Sequence, residues 1–171
     1  MSEIEPENSD PSQIQTSFHM GDLGKLTTRQ VQQISPAALA YLGDAVYELY
    51  VRHRYILPSK RIQAYHHQVV DRVRAEAQAQ HLQSIEPHLS DLERDIIRRG
   101  RNAAFGRPKR VSARIYQQAT SLETLVGYLY LSDPQRLNEL LIYLESNYEP
   151  TGPKTKPKTD EEKSLEDCQP E

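Results

Sequence analysis

A single cysteine in 171 residues, Cys168, excludes an internal disulfide framework and a thiolate zinc cluster. Only 7 glycines and 11 prolines are present, which excludes a collagen-like chain, and no apolar run approaches the roughly 18 residues that a membrane span needs. The opening MSEIEPENSD has neither the basic flank nor the apolar stretch of a secretory signal. Nothing there directs export, so a cytoplasmic protein with no membrane partner is expected. The six histidines (His19, His53, His66, His67, His81 and His88) form no HExxH pair, and neither a GxSxG elbow nor a Walker motif occurs. Zinc, serine-based and P-loop chemistries therefore have no support. What is present, 37% hydrophobic and 26% charged residues, suits one foldable domain with loose ends.

The net charge of -3 hides an uneven distribution. Residues 1–24 hold five acids and no Lys or Arg, and 149–171 hold seven acids and four lysines. Between them, 25–148 carry 17 basic and 12 acidic side chains, a surplus of +5. The stretch 94–114, RDIIRRGRNAAFGRPKRVSAR, alone has eight Lys or Arg against Asp95. Such an arginine-rich segment suits a polyanion, because the guanidinium fork matches phosphate oxygens, although a basic loop also serves solubility alone.

Polar residues with Pro6 and Pro11 predict a disordered leader over 1–30 and a fold starting near Ser35. Ser35-Pro36 is a helix start, with a capping hydroxyl before a proline at the first helical position. Apolar spacings of three and four (Leu39, Tyr41, Leu42, Val46, Leu49, Tyr50) carry that helix to about Ile56, where Leu57-Pro58 ends it. A second helix is expected over 60–83 with Ile62, Val69, Val70, Val73, Ala77 and Leu82 inward, until Pro87 interrupts. Ser90 with Glu93 forms a capping box for a third. A loop follows over 105–109, then helices over 111–131 and from Asp133-Pro134 to about Asn147. No alternation of period two competes with these patterns. The folded part, 31–148, therefore reads as an all-α bundle, and 149–171 as a disordered tail.

Two carboxylates stand out. Asp44 lies in ALAYLGDAVYELYV among apolar and aromatic neighbours, where an unpaired charge costs several kcal/mol. Glu48 is one turn further on. Glu123 in TSLETLVGYLYL is the only acid between Arg114 and Asp133. If the first and fourth of these helices cross at Gly43 and Gly127, the two acids converge. Facing carboxylates repel unless a cation lies between them, and oxygen-only ligation points to Mg²⁺. The competing reading pairs each acid with an arginine such as Arg52 or Arg101. A carboxylate-held cation beside an arginine-rich segment would suit phosphodiester hydrolysis.

These stretches resemble a known family. ALAYLGDAVYELYVR is similar to the signature helix of ribonuclease III catalytic domains. RRGRNA and SLETLVGYLYL resemble the short bacterial form, the Mini-ribonuclease III family, over residues 33–147. The resemblance implies an all-α ribonuclease III-type domain that acts as a homodimer on double-stranded RNA with Mg²⁺, in maturation of the 23S ribosomal RNA precursor. It also implies that no double-stranded-RNA-binding domain follows. By the motif match Asp44 is the signature-helix catalytic and metal-binding aspartate, and Glu123 is the late glutamate with the same two roles. Full-length ribonuclease III has acids where this chain has Ala37, Ala40 and Thr120; those departures also match the short form. Arg99, Arg101, Asn102, Arg107, Lys109 and Arg110 are the expected RNA contacts. The rival to an endoribonuclease is a catalytically silent RNA-binding or ribosome-associated protein of the same fold. No ribosomal-protein helper is identifiable from these residues, nor are the roles of Glu48 and Thr120.

Overall fold

In the computed structural model, residues 26–104 and 110–147 are described, and every regular element among them is helical. The order is α1 (Thr28–Gln33), α2 (Pro36–Tyr55), α3 (Ile62–Val73), α4 (Ala75–Ile85), a 3-10 turn (Glu86–His88), α5 (Asp91–Asn102), α6 (Ala113–Ser132) and α7 (Pro134–Ser146). The expected all-α architecture is found. Its helix starts follow from side-chain caps. Ser35 Oγ accepts from the Ala38 N–H, Ser112 Oγ from Ile115, and the Asp133 carboxylate from Arg136; Ser90 and Glu93 cap each other reciprocally. Each such cap contributes about 1 kcal/mol by satisfying an orphan N–H.

Three expectations require correction. Helix α1 begins inside the segment expected to be disordered, because Thr27 and Gln30 form a second capping box and Val31 is fully buried. Residues 1–25 of that leader, and the expected tail from 148 onward, lie outside the described residues. The single helix expected over 60–83 is two helices. Arg74 is extended (φ -64, ψ 150), serving at once as the end of α3 and the start of α4, with no proline or glycine to mark the change. Its N–H still donates to the Val70 carbonyl, and its own carbonyl accepts from Gln78 at 3.0 Å. Finally, Ile62 and Val70 of α3 are exposed, as are Tyr41 (86% accessible) and Leu49 of α2.

Helix α6 occupies the centre, with α2, α4 and α5 laid against it. From Ala119 to Leu129 every residue is buried except Glu123. From Leu125 to Leu131 α6 is apolar or aromatic apart from Gly127, which suits the interior part of the helix. Several polar ties join the surrounding helices, two of them as follows. Tyr47 of α2 shares a 2.8 Å hydrogen bond with His81 Nδ1 of α4, both residues being buried. Arg136 of α7 donates to Glu93 Oε1 at 2.8 Å and to the His88 carbonyl at 2.9 Å. Burial pushes the Glu93 carboxyl up, but the hydrogen bonds from Arg136 and Ser90 outweigh it and hold the group below the usual carboxylate range.

Candidate active site

The site is built by main chain touching main chain. A Cβ at Gly43 would overlap the Glu123 carbonyl oxygen and stand 2.7 Å from the Gly127 nitrogen. One at Gly127 would overlap the Leu39 carbonyl oxygen and stand 3.1 Å from the Gly43 nitrogen. Glycine costs roughly 1 kcal/mol of helix propensity relative to alanine, and here it permits α2 and α6 to cross without intervening side chains. The crossing expected from the sequence is therefore found, with Asp44 and Glu123 flanking it.

Their environments differ. Asp44 is exposed, which corrects the expectation of a buried aspartate: its helix is apolar in sequence, but Tyr41, Asp44 and Ala45 face outward. Partial burial, and then the neighbouring Glu48 charge, still raise the Asp44 carboxyl above its ordinary value. Glu123 is half-buried and is pushed up to about 7, first by burial and then by the Asp44 charge, with a hydrogen bond from the Gln78 side chain acting the other way. Glu48 is taken by Arg52 at 2.5 Å. Among the described residues neither Asp44 nor Glu123 forms an ion pair, so the arginine-paired reading is not what the structure contains. The Asp44 charge raises the proton affinity of Glu123, and two such carboxylates beside one crossing form a donor set that suits a hard divalent cation. Among the described residues no third His, Cys, Asp or Glu completes a cluster with them.

The basic residues sit beside this crossing to different degrees. A Cβ on Gly100 would come 2.7 Å from Thr124 Cβ and 3.2 Å from Ser121 Cα, so α5 meets α6 right next to Glu123. Arg99 and Arg101 bracket that glycine. Arg101 and Asn102 are exposed at the end of α5, Arg99 is half-buried, and Arg110 is exposed. Arg107 and Lys109 lie outside the described residues. The earlier turns of α5 are partly neutralised, since Arg94 pairs with Asp91 and Arg98 with Asp95. Thr120, buried one turn before Glu123, gives its carbonyl to the Thr124 hydroxyl at 2.7 Å. Sequence reasoning missed Gln78. It is only 1% accessible and lies between buried Ala77 and Ala79; an amide on the inward stripe of α4 was the signal available.

An all-helical domain with two acids at a glycine-mediated crossing and an arginine-bearing helix end beside them is the architecture of a ribonuclease III-type domain. Residues 37–134 match the family described as Ribonuclease III domain. The chain is 52% identical over 126 residues to the Mini-ribonuclease 3 of Thermosynechococcus vestitus, covering 71% of this chain and 83% of the relative. It is 56% identical over 115 residues to that of Synechocystis sp., covering 67% and 80%. A crystal structure of a Fusobacterium nucleatum protein superposes with a TM-score of 0.63 at 26% identity, over 67% of this chain and 96% of that one. The chain belongs to the Mini-ribonuclease 3 family, and by that membership it is an endoribonuclease of the ribonuclease III class.

Proposed function

We propose that this endoribonuclease hydrolyses phosphodiesters of double-stranded RNA with Mg²⁺, that it acts as a cytoplasmic homodimer, and that its substrate is the 23S ribosomal RNA precursor. The observation that carries this reading is the convergence of Asp44 and Glu123 at the Gly43–Gly127 crossing, where the Asp44 charge raises the cost of ionising Glu123. Asp44 and Glu123 are the residues that would hold the cation. When bound, it supplies positive charge for the phosphate and makes a water more acidic.

The chain's own residues bind and orient. Glu123, half-buried on a rigid central helix, keeps its carboxylate in one place, while exposed Asp44 meets solvent and substrate. Arg101, Asn102 and Arg110, exposed, together with Arg99 beside the crossing, hold the RNA backbone through phosphate and 2'-hydroxyl contacts. Arg107 and Lys109 extend that row in sequence. A duplex offers two antiparallel strands, and a two-fold dimer sets one Asp44–Glu123 pair against each. Tyr41, 86% accessible and one turn before Asp44, supports an apolar contact between the two copies beside the sites.

The experiment is cleavage of a precursor ribosomal RNA duplex by the purified protein, with and without Mg²⁺. Metal-dependent cutting of both strands is expected. Binding without cleavage would instead select a catalytically silent RNA-binding protein.

A further inference from the structure

Gly100 has no duty in the proposed chemistry, yet it is the point at which the arginine-bearing helix is seated. Ile96 and Ile97, one turn earlier, are buried, and Gly100 continues the same inward face. A Cβ there would overlap Thr124 Oγ1, stand 2.7 Å from Thr124 Cβ and 3.2 Å from Ser121 Cα. Neither neighbour can step aside. Thr124 and Ser121 are fully buried, and each hydroxyl donates at 2.7 Å to a carbonyl of its own helix, Thr124 to Thr120 and Ser121 to Gln117. The end of α5 is tied at the same place, because the Ala103 N–H donates to the Arg99 and Gly100 carbonyls at 3.2 and 3.1 Å. Arg99 and Arg101 stand about 100° round the helix on either side of this seat. Among the described residues the ion pairs of α5 with acids of its own helix engage Arg94 and Arg98 instead, and Thr124 adjoins Glu123 in α6.

We infer that Gly100 is a positioning residue: by letting α5 bear directly on Thr124, it sets the distance between the arginines that hold the RNA backbone and the Asp44–Glu123 pair. This rests on the reading of Arg99 and Arg101 as RNA contacts. The carboxylate pair is fixed independently, by the Gly43–Gly127 crossing of α2 with α6, so a side chain at position 100 would shift the arginines and leave the acids where they are. RNA carried by displaced arginines would still bind, but its phosphodiester would lie out of line with the carboxylates. A misplacement of about 1 Å suffices to cost on the order of 100-fold in rate.

The test compares Gly100→Ala with Thr124→Ala, which opens the seat instead of blocking it, and with the exchange Gly100→Ala/Thr124→Gly, which moves the glycine to the opposite helix. Far-UV circular dichroism establishes the helical fold, filter binding of a duplex in EDTA gives affinity and its salt dependence, and single-turnover cleavage at saturating duplex gives the rate of the bound complex. For Gly100→Ala that rate should fall about 100-fold, with duplex affinity within about 3-fold and the salt slope unaltered, since the phosphate contacts move with α5. Thr124→Ala should give the same pattern with a loss of about 10-fold, and it carries the test if Gly100→Ala does not fold. The exchange should recover the rate to within about 5-fold of wild type, because the colliding atoms are gone. A wild-type rate in folded Gly100→Ala or Thr124→Ala, a duplex affinity that falls as far as the rate, or no recovery in the exchange overturns the inference. Arg99→Ala/Arg101→Ala, measured alongside, separates the two levels. If it leaves duplex affinity and salt slope unaltered, the reading of those arginines as RNA contacts is wrong; if it lowers both while Gly100→Ala keeps the wild-type rate, only the positioning role is wrong.

Discussion

Gly127 stands against Gly43 so closely that a Cβ on Gly127 would come 3.1 Å from the Gly43 nitrogen and 2.9 Å from the Leu39 carbonyl carbon. The opposing atoms are backbone, which cannot rotate away as a side-chain tip can. Gly127→Ala should therefore force α2 and α6 apart, destabilising the protein by about 3 kcal/mol, the upper end of typical overpacking penalties. Urea denaturation measures the stability and duplex cleavage the accompanying loss of activity. A variant with wild-type stability would mean that the helices do not meet here.

If Asp44 and Glu123 act as one unit, Asp44→Asn and Glu123→Gln should each remove most cleavage, and the double variant should lose much less than the sum of the two single effects. Single-turnover rates on one duplex decide the matter. Additive losses would separate the two acids into independent roles.

Arg101 and Arg110 are exposed and leave their charge available to a polyanion. Replacing both with alanine should weaken RNA binding and reduce the slope of log affinity against log salt by about 0.7–0.9 for each lost phosphate contact. Filter binding across a salt series checks this, and an unaltered slope would move the RNA interface off this edge.

Buried His81 should govern acid stability. Burial, and then the Arg72 charge, hold its pKa down to about 4 against an ordinary 6.5. An unfolded chain therefore takes up this proton near pH 6.5 while the folded one refuses it until about 4. The stabilisation is complete above pH 6.5 and is lost as the pH falls through that interval, about 3 kcal/mol in all at 1.36 kcal/mol per unit. Urea unfolding at pH 7 and pH 4.5 should reveal that loss, and His81→Gln should flatten it. The same pH dependence in the variant would assign the effect to other groups.

The elements legible in the sequence were those governed by local chemistry. Ser35-Pro36, the Ser90–Glu93 box and Asp133-Pro134 start helices where expected, because a cap is satisfied within its own turn. Gly43 and Gly127 disclosed the crossing because a glycine inside an apolar helix calls for a close neighbour. The break at Arg74 is not legible in the sequence because nothing in VRAEA forbids helix. Tyr41 shares the apolar spacing of α2 yet lies 86% accessible, because periodicity records apolarity and not which apolar face meets the core. Asp44 was expected to be buried for the same reason. Gln78 went unnoticed because its significance depends on Glu123, 45 positions away in the chain and on another helix.

The Arg136–Glu93 tie has a consequence in time. Its two ends are 43 residues apart in the chain. At a synthesis rate of about 5–20 residues per second, Arg136 joins the polymer roughly 2–9 s after Glu93. Of the hydrogen-bond partners that the folded chain gives the Glu93 carboxylate, Ser90 alone precedes it within its own turn, so the capping box is the part of this tie that can form before α7 is made.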